Sequence, residues 1–265
     1  MNRKSVKEEL EKWMKAYENS APEDGLINSF SLSEPATEEE LSSKEKELGV
    51  KIPKSLRDFF KNISAGIVFE FTFDDYKRKE LPHDFRYLDN SNMEFGLEVL
   101  DNSQYSQIMD TIKNNPDEPW TDDFGQVWKD KLAFVHLGNG DVIAIDLASE
   151  SGESVVFISH YDDKATEIAP NFTMFFEGWL KAGLVNPSYV GIFLTDGESN
   201  EKTKIWRKIM LGSETERAEI IREYKKTVHE KPERTVIFQA FVALGVIVVP
   251  FLILFLIGMF VKLFK

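Results

Sequence analysis

Apolar side chains recur along this chain with two different periods, and the period changes at identifiable punctuation. Val6, Leu10, Trp13, Met14 and Tyr17 fall three or four residues apart, which predicts a helix over residues 4–18 with one buried stripe. The polar stretch Ser20 to Pro35 reads as a loop. Thr37-Glu38-Glu39-Glu40 is a capping box, in which the Thr hydroxyl accepts from the third backbone N–H and Glu40 reaches back. The helix it opens carries Leu41, Glu45 and Leu48, and Gly49 is placed to end it in a left-handed conformation. Pro53 fits a first helical turn, and Leu56, Phe59, Phe60 and Ile63 give the next short helix its apolar face before Ser64-Ala65-Gly66 stops it.

The period then shortens. Ile67 to Phe73 is rich in β-branched and aromatic residues and predicts a strand; Phe95 to Leu100 alternates and predicts another. Tyr105 to Lys113 reads as a helix and Asn114 to Gly125 as a loop. Leu132 to Leu137 and Val142 to Leu147 flank Gly138-Asn139-Gly140-Asp141, a tight-turn signal, and so predict a hairpin. Ser154 to Ser159 adds a strand after the Gly152 turn. Phe172, Phe175, Phe176, Trp179 and Leu180 form a helical face. Beyond Gly183, Ile205-Trp206 with Ile209-Met210 predicts a short helix. Ser213 and Glu216 form a second capping box opening a helix to about Val228, with Ala218, Ile221 and Tyr224 on one face.

From Thr235 to Val261 all periodicity vanishes into one uncharged apolar run, in which Gln239 is the strongly polar side chain. Apolar runs of about 18 or more residues span the ~30 Å hydrocarbon layer as a single helix, and Pro250 midway is a kink that a membrane helix tolerates. Gln239 is placed either to hydrogen-bond across a helix pair or to face lipid in a monomer. The reading is thus a body at 1–184, a helical stalk and charged tether at 185–234, and a transmembrane helix at 235–261. Arg222, Lys225, Lys226, Lys231 and Arg234 precede the span and only Lys262 and Lys265 follow it, a bias that puts the N-terminal side in the cytoplasm. The opening MNRKSVKEELEKWMKAYENS lacks the apolar core of a secretory signal, which agrees. The expected location is therefore a single-pass membrane protein with its N-terminal domain cytoplasmic.

The net charge of −13 sharpens the partner question. Nucleic acid is a poor partner for such a surface, because phosphate binding needs clustered Lys and Arg, and no nucleic-acid partner is expected. Anionic headgroups would repel the body, so contact with the lipid bilayer falls to the apolar helix. A basic protein would be attracted. The chain has no cysteine, which excludes disulfides, thiolate nucleophiles and Cys-based zinc sites.

Two stretches together resemble the SUKH superfamily, which includes fungal cell-wall assembly regulators and bacterial toxin-immunity proteins. The first is PATEEELSSKEKELGVKIPKSLRDFFKNISAGI, residues 35–67, with Glu45, Leu48, Gly49 and Pro53 at the family's spacing. The second is LAFVHLGNGDVIAIDL, residues 132–147, with Gly138, Gly140, Asp141 and Asp146, followed by VVFISHYD and NFTMFFEGWL. The resemblance covers roughly residues 1–184, and the N-terminal helix with Trp13 is similar to the lead-in helix of some members. Residues 74–130 align poorly, and Gly-Asn-Gly stands where many members have Gly-Gly. The resemblance implies an α+β fold, a mostly antiparallel central sheet flanked by helices. It also implies a non-enzymatic module that binds and neutralises a toxin domain, with no cofactor and no small-molecule substrate. The fungal branch implies instead a membrane-tethered regulator or scaffold of cell-envelope synthesis.

Sites for chemistry are sparse. The histidines are His83, His136, His160 and His229; His160-Tyr161-Asp162-Asp163 crowds its ligands into one loop, which is weak as a metal site. Gly138 to Asp141 lacks the Lys-Ser/Thr of a phosphate loop. Asp74-Asp75 and Asp122-Asp123 read as loop charges, although a hydrolase using such carboxylates is a third reading. Asn171 reads as a helix cap.

Overall fold

The computed structural model of the chain describes residues 1–18, 29–73, 75–88, 90–114, 125–160, 164–189 and 201–229. Helix α1 (Arg3–Glu18) buries the stripe the spacing predicts, with Val6, Leu10, Trp13 and Tyr17 fully enclosed. Helix α2 (Glu38–Leu48) opens on the Thr37 capping box and closes on Gly49 at φ +70°, a backbone geometry that L side chains resist. Helix α3 (Lys54–Asn62) follows with Pro53 at its N-cap and Leu56, Phe59 and Phe60 buried. Helix α4 (Asp75–Glu80), helix α5 (Gln104–Asn114) and helix α6 (Phe172–Lys181) come later, the last capped by Asn171, whose side chain accepts from Met174 N at 2.9 Å.

The strands form two antiparallel sheets rather than a single central one. Sheet one holds β1 (Ser29–Leu32), β2 (Gly66–Phe71) and β3 (Asn90–Gly96) in the order β1-β2-β3. Sheet two is the meander β4 (Lys131–His136), β5 (Val142–Asp146), β6 (Ser154–Ile158) and β7 (Ala165–Ala169). The break between them lies where a strand over Phe95 to Leu100 is expected. The chain leaves the ladder at Gly96 and folds through a turn, with Leu100 N donating to Leu97 O, before Asp101 bridges to Ala133 of β4. Strands β1 and β7 escape the pattern reading: β1, Ser-Phe-Ser-Leu, is four residues long inside a polar stretch that reads as a loop, and β7, Ala-Thr-Glu-Ile-Ala, holds a single large apolar residue.

Burial differs between the sheets, and that difference positions the site. Strand β2 alternates, with Ile67, Phe69 and Phe71 buried while Val68 is exposed. Strands β4, β5 and β6 are buried almost continuously, because both faces of sheet two are covered. One face packs on an aromatic core in which Phe59 and Phe176 lie 4.6 Å apart, Phe95 and Phe172 5.4 Å, and Phe134 and Phe175 5.5 Å, all between ring centroids. On the other, Ala133, Val142, Ala144, Val156 and Ile158 pack with Trp128 under Tyr105 and Ile108 of α5. An aromatic group under α1 completes the interior, where Tyr17 stacks on Phe71 at 3.8 Å and donates to Gly183 O at 3.0 Å.

Helix α7 (Glu201–Leu211), expected in a stalk outside the body, packs on it. Trp206, Ile209 and Met210 are buried. The Trp206 ring stacks on Phe85 with centroids 5.6 Å apart, and its Nε1 donates to Ala182 O at 2.9 Å. Arg207 lies over Trp13 and donates to Glu9 at 2.6 Å and Lys181 O at 2.8 Å. The chain forms two compact units, Met1–Ile220 and Ile221–Lys265, the second described only as far as His229. Helix α8 (Glu214–His229) opens on the Ser213–Glu216 capping box. Among the described residues no helix is long and apolar enough to cross a membrane. Thr235, Gln239, Pro250 and Val261, which the sequence reading puts in a span, lie outside the described residues.

Candidate functional site

The residues singled out by pattern gather in three places. The first is a hub at the α2–α3 corner. The Glu45 carboxylate, only 5% exposed, accepts from Lys51 Nζ at 2.6 Å, Arg57 Nε at 3.1 Å and Ile52 N at 3.3 Å. Arg57 also reaches Glu38 at 2.6 Å, and Lys61 reaches Glu38 at 2.5 Å. Burial pushes the Glu45 carboxyl up, but its three donors outweigh that and hold it below the usual value. Glu38, on the surface, is lowered to about 2 by its bonds to Arg57 and Lys61. Leu48, Gly49 and Pro53 set the path between these charges. Gly49 ends α2, Pro53 starts α3, and Leu48 O accepts from Asn102 Nδ2 at 2.8 Å.

The second place is the β4–β5 hairpin. Gly140, at φ +92°, completes the turn: its N donates to Leu137 O and Leu137 N donates to Asp141 O, both at 2.9 Å. Asp141 is buried and its Oδ1 accepts from His160 N at 2.9 Å and lies 2.7 Å from His160 Nδ1, while Asn139 Nδ2 donates to Oδ2 at 2.7 Å. Burial opposes the charge, yet these bonds hold the carboxyl below its ordinary range. Gly138, by contrast, meets nothing within 4 Å of where a Cβ would stand. At the far end of β5, Asp146 Oδ1 accepts from Lys131 Nζ and from Ala148 N, each at 3.0 Å, closing the turn into β6.

The third is a link that pattern reading missed. The Glu153 carboxylate accepts from Ser55 N at 3.1 Å and from Ser55 Oγ, and that hydroxyl accepts from Phe172 N at 3.2 Å. A single turn residue thereby ties the starts of α3 and α6. Ser55 and Glu153 are 98 residues apart, so no local spacing could have found the pair.

Among the described residues no group of acidic and histidine side chains is placed to hold a metal ion. Tyr161, Asp162 and Asp163, and likewise Asp74, Asp122 and Asp123, lie outside the described residues. His83 and His136 are exposed.

Among the described residues, sheet one also carries a groove. Gly66 of β2 pairs directly with Gly96 of β3, and a shallow groove of about 210 Å³ runs over them. Its floor includes Ile67 and Leu97; Val68, Val99, Ser33, Glu40 and Glu98 line its sides. A Cβ on Gly96 would stand 3.0 Å from Ala65 O and 3.1 Å from Gly66 Cα, so the two strands approach here as only glycines allow.

No curated protein matches the chain. A sequence profile of the SMI1 / KNR4 family (SUKH-1) matches residues 35–178, a stretch that takes in the Glu45 hub, the paired glycines and the Asp141 hairpin, and the chain belongs to that family.

Proposed function

We propose that this chain is a non-enzymatic protein-binding module, held at the cytoplasmic face of a membrane by the helix Thr235–Val261, where it neutralises a cognate basic toxin domain. Membership of the SMI1 / KNR4 family supports the coarser half of this reading, a protein-binding or immunity-type module. One observation carries it: the motif carboxylates Glu45, Asp141 and Asp146 each accept bonds from within the fold. The family signature thus marks residues that build the scaffold, and recognition falls to the open surface. The net charge of −13 favours a basic partner, whose association it would accelerate. The apolar run supplies the tether, since its length and lack of charge match a bilayer span.

Affinity capture with the full chain from detergent-solubilised membranes tests this. Recovery of one basic toxin fragment, together with its loss of activity when mixed with the chain, supports immunity. Recovery of envelope-synthesis enzymes instead moves the assignment to envelope regulation. A chain ending at Arg234 is expected among soluble proteins and the full chain with membranes. If both fractionate as soluble, the tether is wrong.

A further inference from the structure

We infer that the groove over the Gly66–Gly96 pair receives a lysine or arginine side chain of the protein partner. The inference rests on the protein-binding reading above and names where and by what chemistry that partner is held. The groove's volume, about 210 Å³, lies below the roughly 300–1,000 Å³ of small-molecule sites and suits one long side chain. Its floor has no side chain at two facing positions, because Gly66 and Gly96 are ladder partners, so a methylene stem can lie against backbone there. Val68, 37% exposed, offers an apolar contact to the residue next to the inserted one.

The rim fixes the sign of the charge. Glu40 and Glu98 are both exposed and both line the groove. The capping box uses Oε2 of Glu40, through bonds to Thr37 N at 2.7 Å and Thr37 Oγ1 at 2.8 Å, which leaves Oε1. No ion pair is made by Glu40 or Glu98 among the described residues. Lys44, whose Nζ donates to the Glu98 carbonyl at 3.2 Å, is engaged by Glu47 at 2.7 Å. Two carboxylates beside a glycine floor and the Val68 side chain complement a cation on an aliphatic stem, the way such side chains cover apolar surface while keeping the head in a polar setting. An acidic or purely apolar partner would leave those carboxylates repelled or desolvated.

The test uses the full chain in detergent, isotope-labelled at glycine and valine, titrated with a capped Leu-Arg-Leu peptide and its citrulline counterpart. The arginine peptide is expected to move the Gly66, Gly96 and Val68 amides. Citrulline in the peptide, or Glu98→Gln in the protein, is expected to weaken binding roughly threefold to fivefold, as loss of one exposed ion pair does. Equal binding of both peptides, or an unchanged affinity in Glu98→Gln, overturns the inference. So does movement of these amides with protein concentration alone, which would assign the face to a second copy of the chain. Failure here and failure of the wider reading separate cleanly. A captured toxin domain that binds the double variant Val68→Lys, Glu98→Lys as it binds the native chain removes the groove but keeps the binding module. Arginine-specific occupancy with no protein captured does the reverse.

Discussion

Replacing Trp206 by alanine tests whether α7 belongs to the body or merely leads away from it. The side chain is fully enclosed, stacked on Phe85, and bonded through Nε1 to Ala182 O. Truncating a buried Trp costs about 3–5 kcal/mol in transfer and cavity terms, and leaving a buried carbonyl without its donor adds about 1 kcal/mol. The expected loss is therefore ~4–6 kcal/mol, a large share of the ~5–15 kcal/mol of an ordinary domain. Trp206→Phe is the control. It keeps the stack on Phe85 and gives up the hydrogen bond, so a loss of about 1–2 kcal/mol is expected. Urea unfolding of the full chain in mild detergent measures both, and amide exchange reports where protection falls. Protection is expected to drop first in α7 and in α1, which shares the Arg207–Glu9 pair. A loss under about 1 kcal/mol for Trp206→Ala, with α1 exchange unchanged, would refute the packing argument.

Glu45→Gln removes the acceptor shared by Lys51 and Arg57, and the cost at neutral pH is expected near 2 kcal/mol. Because the native carboxyl sits below its ordinary 4.5, its contribution is complete above that pH and is lost as pH falls through the lowered value; native and variant stabilities should converge below pH 4.5 in acid titrations followed by tryptophan fluorescence. Gly140→Ala forces a Cβ onto a φ of +92° and should lower stability by about 1–2 kcal/mol, whereas Gly138→Ala, with open space around it, should be near neutral; thermal melts that rank them otherwise would contradict the turn geometry. Ser55→Ala frees Phe172 N and one bond of Glu153, for an expected loss of about 1–2 kcal/mol, and combined with Glu153→Gln it should fall short of additive in a double-mutant cycle.

Legibility in the sequence followed the range of the interaction. The capping boxes at Thr37 and Ser213 and the Gly140 turn are complete within four or five residues, and pattern alone located them. Helices α1, α3 and α6 were visible because each buries a stripe of large apolar residues. Strands β1 and β7 were not, since β1 is four residues inside a polar stretch and β7 offers Ile168 as its single large apolar residue. Trp206, Ile209 and Met210 show helical spacing, but spacing names a face and never its destination, so α7 was assigned to a stalk. The Gly66–Gly96 pair was invisible for the same reason. Each glycine looks like punctuation until the register of β2 against β3 brings the two together.

The Arg207–Glu9 pair joins residues 198 positions apart, and the ring of Trp13 lies under that same arginine. Helix α7 follows both sheets in chain order, so its contact with α1 closes across the whole body. Without α7 in place the Trp13 ring loses its arginine cover, and apolar surface left exposed in this way invites aggregation or chaperones.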